Sequence, residues 1–343
     1  SRPFRSPLAG VISPANPMGT DGFEFLEFTG PDIAALETAF RGLGFAPVAR
    51  HRAKAVTQWR QGEVNLIINA EPDSFAAAFA RVHGASASAM AFRVADAPLA
   101  HARAVALGAR PVAARAGPME LNIPAIEGIG GSLLYFVDRY GARGSIYDVD
   151  FHAIPGADPN PAGNGLVLIE HLSHGVHRGR LDDWSSFYSR LFNFQALGAP
   201  AAGGAAASLA SRAITSPCGQ IRISIDEGAN AGGDEAGRVA EYLRAYRGEG
   251  IRRVGLLAAD IDASAGRIRA AGIRLADTPA GPGGGLPRLI TEPLVGPIFF
   301  ELIERKGEVG IGEDAFLARF APAPPAPPAA PAAPDGAGPD AAD

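Results

Sequence analysis

A single cysteine, Cys218, stands among 343 residues, which excludes an intramolecular disulfide framework and points to a reducing compartment, with the cytoplasm as the expectation. No apolar run reaches the ~18 to 20 residues that a membrane helix needs, so no membrane role is expected. Positive charge is nowhere concentrated. The 31 Lys and Arg against 36 Asp and Glu leave a net charge of −5, which argues against nucleic acid as a partner. The N-terminal SRPFRSPLAGVISPANPMG is too broken by proline to read as a signal peptide. What is present, 47% hydrophobic and 20% charged residues, is the composition of a soluble globular protein of about two domains.

Residues 321–343, rich in Pro and Ala, cannot bury a face and are expected to form a disordered or polyproline-like tail. Residues 154–166 read as a linker that divides the globular part in two. The expected organisation is an N-terminal extension 1–17, a domain 18–153, the linker, a second domain 167–320 and the tail. Internal repeats support it. GFEFLEFTGPDIAALETAFRGLGFAPV from Gly22 and LIEHLSHGVHRGRLDDWSSFYSRLFNFQAL from Leu168 share a strand, loop, amphipathic helix, strand layout. AMAFRVADAPLAHARAVALGARPV from Ala89 matches RVGLLAADIDASAGRIRAAGIRLAD from Arg253 in the same way. Helices show apolar residues every three to four positions, as at Ile33, Leu36, Phe40 and Leu43, and Val64–Asn69 and Ile221–Asp226 read as strands.

Histidine is scarce, so placement matters. Three of the seven fall in IEHLSHGVH, where an extended chain puts His171 and His177 on one side and His174 on the other. A metal site assembled from several strands would take one of them; a hydrogen-bonded core or surface histidine is the alternative. Glu301, inside IFFELI, needs a metal or a cation if it is buried, and is a solvated carboxylate if it is not. In GEGIRRVGLLAADI two cations, Arg252 and Arg253, stand at the mouth of an apolar strand. Cys218 has no histidine after it, so nucleophilic catalysis is not expected. The run Gly281 to Gly285 lacks the setting of a phosphate loop, and His51 reads as a surface residue. No residue is assigned a catalytic role on these grounds.

The runs NPMGTDGFEFLEF, RQGEVNLIINAEPDSF, GPMELNIPAIEGIGG, GSIYDVDF, IEHLSHGVHRGRLDDWSSFYSRLFNF, SRAITSPCGQIRI, YRGEGI and GPIFFELIERKG together resemble the 4-hydroxyphenylpyruvate dioxygenase family. The likeness spans nearly the whole chain apart from its tail. It implies an α+β vicinal oxygen chelate fold, four βαβββ modules paired into two open barrel-like domains, with the active site in the C-terminal one. It also implies Fe(II) held by two histidines and a glutamate, and turnover of 4-hydroxyphenylpyruvate and O2 to homogentisate and CO2 in tyrosine catabolism. The first histidine corresponds to His171 and the glutamate to Glu301, while the second histidine position holds Arg253. Arginine has no lone pair to give a metal, and no histidine follows His177.

The resemblance places Ser211, Phe299 and Phe316 in the substrate pocket with retained residue types. Asp226 stands where the family has asparagine, Arg252 and Arg288 where it has glutamines, Ile290 and Ile311 where it has phenylalanines, and Ser224 where it has proline. Laying the repeats over each other sets Phe25 opposite His171, Ala89 opposite Arg253 and Tyr135 opposite Glu301. Two functions follow as expectations: the dioxygenase, impaired or lost at Arg253, or a metal-free binder of a 2-oxo acid or aromatic anion. Another metal-dependent activity of the same superfamily is less favoured, because it needs a metal set that the chain does not show. In the binder, Arg253 would replace iron beside Glu301 within about 6 Å, the range of strong charge coupling. Arg252 would face the opposite side, and Arg288 would join Arg253 or pair with Asp226. A homo-oligomer is implied by the family.

Overall fold

The computed structural model describes residues 6–113, 121–197, 210–228, 235–277 and 288–305. Phe316, Ile311, the glycine run 281–285 and the tail 321–343 lie outside them. One order of elements, strand, helix, three strands, occurs four times. It is first β1 (Phe23–Thr29), α1 (Ile33–Gly42), β2 (Ala46–His51), β3 (Val56–Gln61) and β4 (Val64–Asn69). After α2 (Phe75–His83) come β5 (Ser86–Arg93), α3 (Ala97–Ala106), β6 (Pro111–Val112), β7 (Ala125–Glu127) and β8 (Leu133–Val137). A short α4 (Tyr147–Asp150) and β9 (Phe151–Ala153) lead to β10 (Leu166–Val176), α5 (Leu181–Phe192), β11 (Gln195–Ala196), β12 (Ser211–Thr215) and β13 (Arg222–Glu227). Last are α6 (Glu235–Tyr246), β14 (Gly250–Ala258), α7 (Ile261–Ala270), β15 (Leu275–Asp277), β16 (Arg288–Thr291) and β17 (Phe299–Glu304).

The helices start where side chains can satisfy the first free N–H groups. Asp32, Asp96 and Asp260 accept from Ala35, Leu99 and Ala263 at the heads of α1, α3 and α7, and α5 carries Asp182 and Asp183 in its first turn, where carboxylates suit the helix dipole.

The strands form two open mixed sheets, ordered β6-β7-β8-β5-β1-β4-β3-β2-β9 and β11-β12-β13-β10-β14-β17-β16-β15. In the first, β1 and β5 pair antiparallel at the centre, with β4 parallel to β1 and β8 parallel to β5. In the second, β10 and β14 pair antiparallel, with β13 and β17 parallel on their outer sides. The fold is therefore α+β. One continuous apolar core takes residues from both sheets, with Phe28 and Phe300 meeting at 6.3 Å and Phe92 and Phe192 at 5.4 Å. Among the described residues no helix is long and apolar enough to cross a membrane.

Candidate functional site

Three adjacent strands build the site. On β10, His171 registers with Gly255 of β14, and Gly255 registers with Glu301 of β17. A side chain at position 255 would collide with the His171 ring, so glycine lets imidazole and carboxylate meet across the middle strand. His171 Nε2 lies 3.2 Å from Glu301 Oε2, and both side chains are fully buried. Arg253, two residues before Gly255 and so on the same face, places Nη1 3.4 Å from Glu301 Oε2. Arg288 on β16 brings its Nη1 to 3.5 Å from Glu301 Oε1, and the expected alternative partner of Arg288, Asp226, is taken by Arg252 instead. Burial pushes the Glu301 carboxyl up, but the Arg253 charge, the hydrogen bond from His171 and the Arg288 charge outweigh it and hold the group below the usual carboxylate range.

The expectation that Arg252 faces away from Arg253 is overturned. Ser173 registers with Arg253 and His174 with Ile251, so Arg252 is the extra residue of a β-bulge, and a bulge suspends the alternation of sides. Arg252 and Arg253 both lie over the Phe299 ring, with Cζ 5.2 and 5.0 Å from its centroid. Arg252 Nη2 is 3.4 Å from Asp226 Oδ2, and Ser211 donates to the other oxygen of that carboxylate. Ser224 hydrogen-bonds to Ser173 at 2.6 Å.

A second bulge brings in residues that sequence reasoning missed. Ile169 registers with Leu256 and His171 with Gly255, leaving Glu170 as the extra residue. Glu170 Oε2 lies 2.6 Å from His171 Nδ1, its Oε1 accepts from Arg222 at 2.7 Å, and Arg305 donates to it as well. Burial would raise the Glu170 carboxyl and depress the His171 imidazole. The contacts reverse both, so Glu170 is held well below the usual carboxylate range and His171 above the usual histidine range. The one hint in the sequence was the Glu-His adjacency, which strict alternation would have separated.

The remaining candidates fall elsewhere. His174 faces the helix side, where the Tyr188 hydroxyl lies 2.7 Å from its Nε2, and burial depresses its pKa to about 3. His177 is exposed beyond the end of β10. His51 stacks edge-on against Phe151 at 5.2 Å, and Cys218 is buried beside Ser216. Ile290 registers with Glu301 on the neighbouring strand.

An Fe(II) site of the implied kind takes three lone-pair donors on one face. Here two converge, and the third position presents a guanidinium directed at the same carboxylate oxygen that faces His171. Among the described residues no group of three or more His, Cys, Asp or Glu side chains is arranged to hold a metal ion. The described residues do not fit the metal.

Residues 15–152 match the family model described as hydroxyphenylpyruvate dioxygenase, HPPD, N-terminal. The chain is 43% identical over 343 residues to 4-hydroxyphenylpyruvate dioxygenase of Pseudomonas aeruginosa, covering 90% of this chain and 95% of that protein. It is 42% identical over 339 residues to the enzyme of the same name from Pseudomonas sp. strain P.J. 874, covering 89% and 94%. Among solved structures, a xylose isomerase-like TIM barrel/4-hydroxyphenylpyruvate dioxygenase fusion protein superposes with a TM-score of 0.71 at 32% identity, over 90% of this chain and 53% of that longer one. With the repeated strand register and the His171–Glu301 pair already in place, these matches settle the ancestry: the chain belongs to the 4-hydroxyphenylpyruvate dioxygenase family of the vicinal oxygen chelate superfamily.

Proposed function

We propose that this chain does not run the iron-dependent dioxygenase reaction and is instead a metal-free binder of a 2-oxo acid or aromatic anion. The observation that carries the reading is the 3.4 Å approach of Arg253 to Glu301, which puts a fixed cation where the family places a metal. The two arginines converging on Glu301 supply the ligand preference, because a guanidinium fork matches a carboxylate in shape and charge. Ser211, Arg288 and Phe299, each partly exposed, would form the entrance. The repeated units and two open sheets support two barrel-like domains at 18–153 and 167–320; the family resemblance adds a homo-oligomer, and the single cysteine a cytoplasmic setting.

Retained dioxygenase activity is the second reading, favoured by the 42–43% identity to named dioxygenases over about nine-tenths of the chain. Metal analysis of purified protein, Fe(II) titration and a homogentisate assay separate the two. The binder reading expects sub-stoichiometric iron and no homogentisate; stoichiometric Fe(II) with product formation overturns it. Arg253→His should recover metal binding more fully than turnover, since Asp226, Arg252 and Arg288 would remain.

A further inference from the structure

The bulge at Arg252 narrows the ligand, on the footing of the binder reading. Phe299 is partly exposed, and its ring is an aromatic face beside the Glu301 cluster. That surface is already covered by two guanidinium groups, 5.2 and 5.0 Å from the ring centroid. Arg253 is committed to this place by strand alternation. Arg252 is there because the backbone inserts it. It is 1% exposed and reaches Asp226, itself 3% exposed, at 3.4 Å.

The bulge does not depend on arginine. At the matching place in the first sheet, Glu27 registers with Ala89 and Phe28 with Ala87, so Ser88 is the extra residue there. The fold supplies the inward turn, and the residue placed on it decides what fills the space. For a ring to reach Phe299, the Arg252 guanidinium would have to leave both the ring and Asp226, taking the cation away from a buried carboxylate.

We infer that Arg252 sets ligand size in this site: held over Phe299 by Asp226, it excludes an aromatic ring and leaves a small aliphatic 2-oxo acid as the acceptable ligand class. The carboxylate end of such a ligand needs only the guanidinium groups around Glu301, and its short chain does not contest the face of Phe299.

Calorimetric titration of the full chain with 2-oxobutyrate and with 4-hydroxyphenylpyruvate tests this. Wild type is expected to bind 2-oxobutyrate at least about ten-fold more tightly, the scale of one desolvated cation–π contact. In the neutral-pair variant D226N/R252Q the affinity for the aromatic acid relative to 2-oxobutyrate should rise at least about ten-fold. Equal or tighter binding of 4-hydroxyphenylpyruvate by wild type overturns the size assignment and leaves the binder reading standing. Binding of neither acid overturns both. If the variant fails to fold, the wild-type ratio alone decides; if it folds and the ratio does not rise, Arg252 is not the determinant.

Discussion

The two sheets put different chemistry on one backbone plan. Where the second sheet aligns His171, Gly255 and Glu301 across three strands, the first aligns Phe25, Ala91 and Tyr135. Arg253 has Ala89 as its counterpart, and Phe299 has Leu133. Even the bulges recur. Glu24 stands at the bulge that matches Glu170. Glu24 is bonded to Arg93 at 2.6 Å, and Glu170 to Arg222 at 2.7 Å. The bulges and the outer carboxylates are therefore shared architecture. What separates the halves is the inner group: aromatic and small residues in the first sheet, an arginine–carboxylate cluster in the second. Cations hold the buried Glu301 carboxyl below the usual carboxylate range, whereas at Glu27 burial outweighs its partners and raises the carboxyl.

The contrast can be broken most severely at Glu301. Glu301→Gln leaves Arg253, Arg288 and His171 facing one another in a buried space, and removing one partner of such a pair typically costs about 3–5 kcal/mol. Denaturant unfolding of the variant against wild type measures it. A change smaller than about 1 kcal/mol, the ordinary value for an exposed ion pair, would show that the cluster is not a structural element. Gly255→Ala installs in the second sheet the residue that the first sheet carries at Ala91. With the His171 ring in its way it should cost about 1–3 kcal/mol as overpacking, and the near-ultraviolet circular dichroism should report the disturbed aromatic packing around the site.

Glu27→Gln gives the smallest effect and the opposite sign. Burial raises the Glu27 carboxyl above its ordinary value of 4.5, beyond what Ser88, Asn69 and Lys54 can lower it. A carboxyl raised in the folded state weakens the fold at pH values above its unfolded pKa, where the unfolded chain ionises freely, and the penalty vanishes as pH falls below that value. The variant should therefore be as stable as wild type or about 1 kcal/mol more stable at pH 7, with the difference gone near pH 4. Unfolding curves at the two pH values check this; a variant less stable than wild type at pH 7 would show Glu27 to be an ionised, paired group like Glu301.

Much of this was legible beforehand. Apolar spacing at Ile33, Leu36, Phe40 and Leu43 specifies α1, and Asp32 marks its start through a local hydrogen bond. Val64–Asn69 is the strand expected, and the strand expected at Ile221–Asp226 runs from Arg222 to Glu227. The internal repeat carried the site as well, because opposing Phe25 to His171 and Tyr135 to Glu301 needs only residue order to be preserved between duplicated halves. Family likeness supplied Arg253 as the position to watch, and its charge supplied the partner. Arg222 and Arg305 were missed because their contacts to Glu170 join segments far apart in the chain, and for Glu170 itself only its adjacency to His171 gave a local sign.

Arg252 marks the boundary between the two kinds of information. From its residues alone the chain settles its ancestry, its helix and strand pattern and the lone-pair donor missing at position 253, since these follow from residue type, period and order. Which way Arg252 points follows from neither period nor composition. It depends on how β10 and β14 come into register, and a single inserted residue between Ile251 and Arg253 turns an outward side chain into the site. Register is a property of two strands held together, so only the tertiary structure could decide that both arginines share the ring of Phe299.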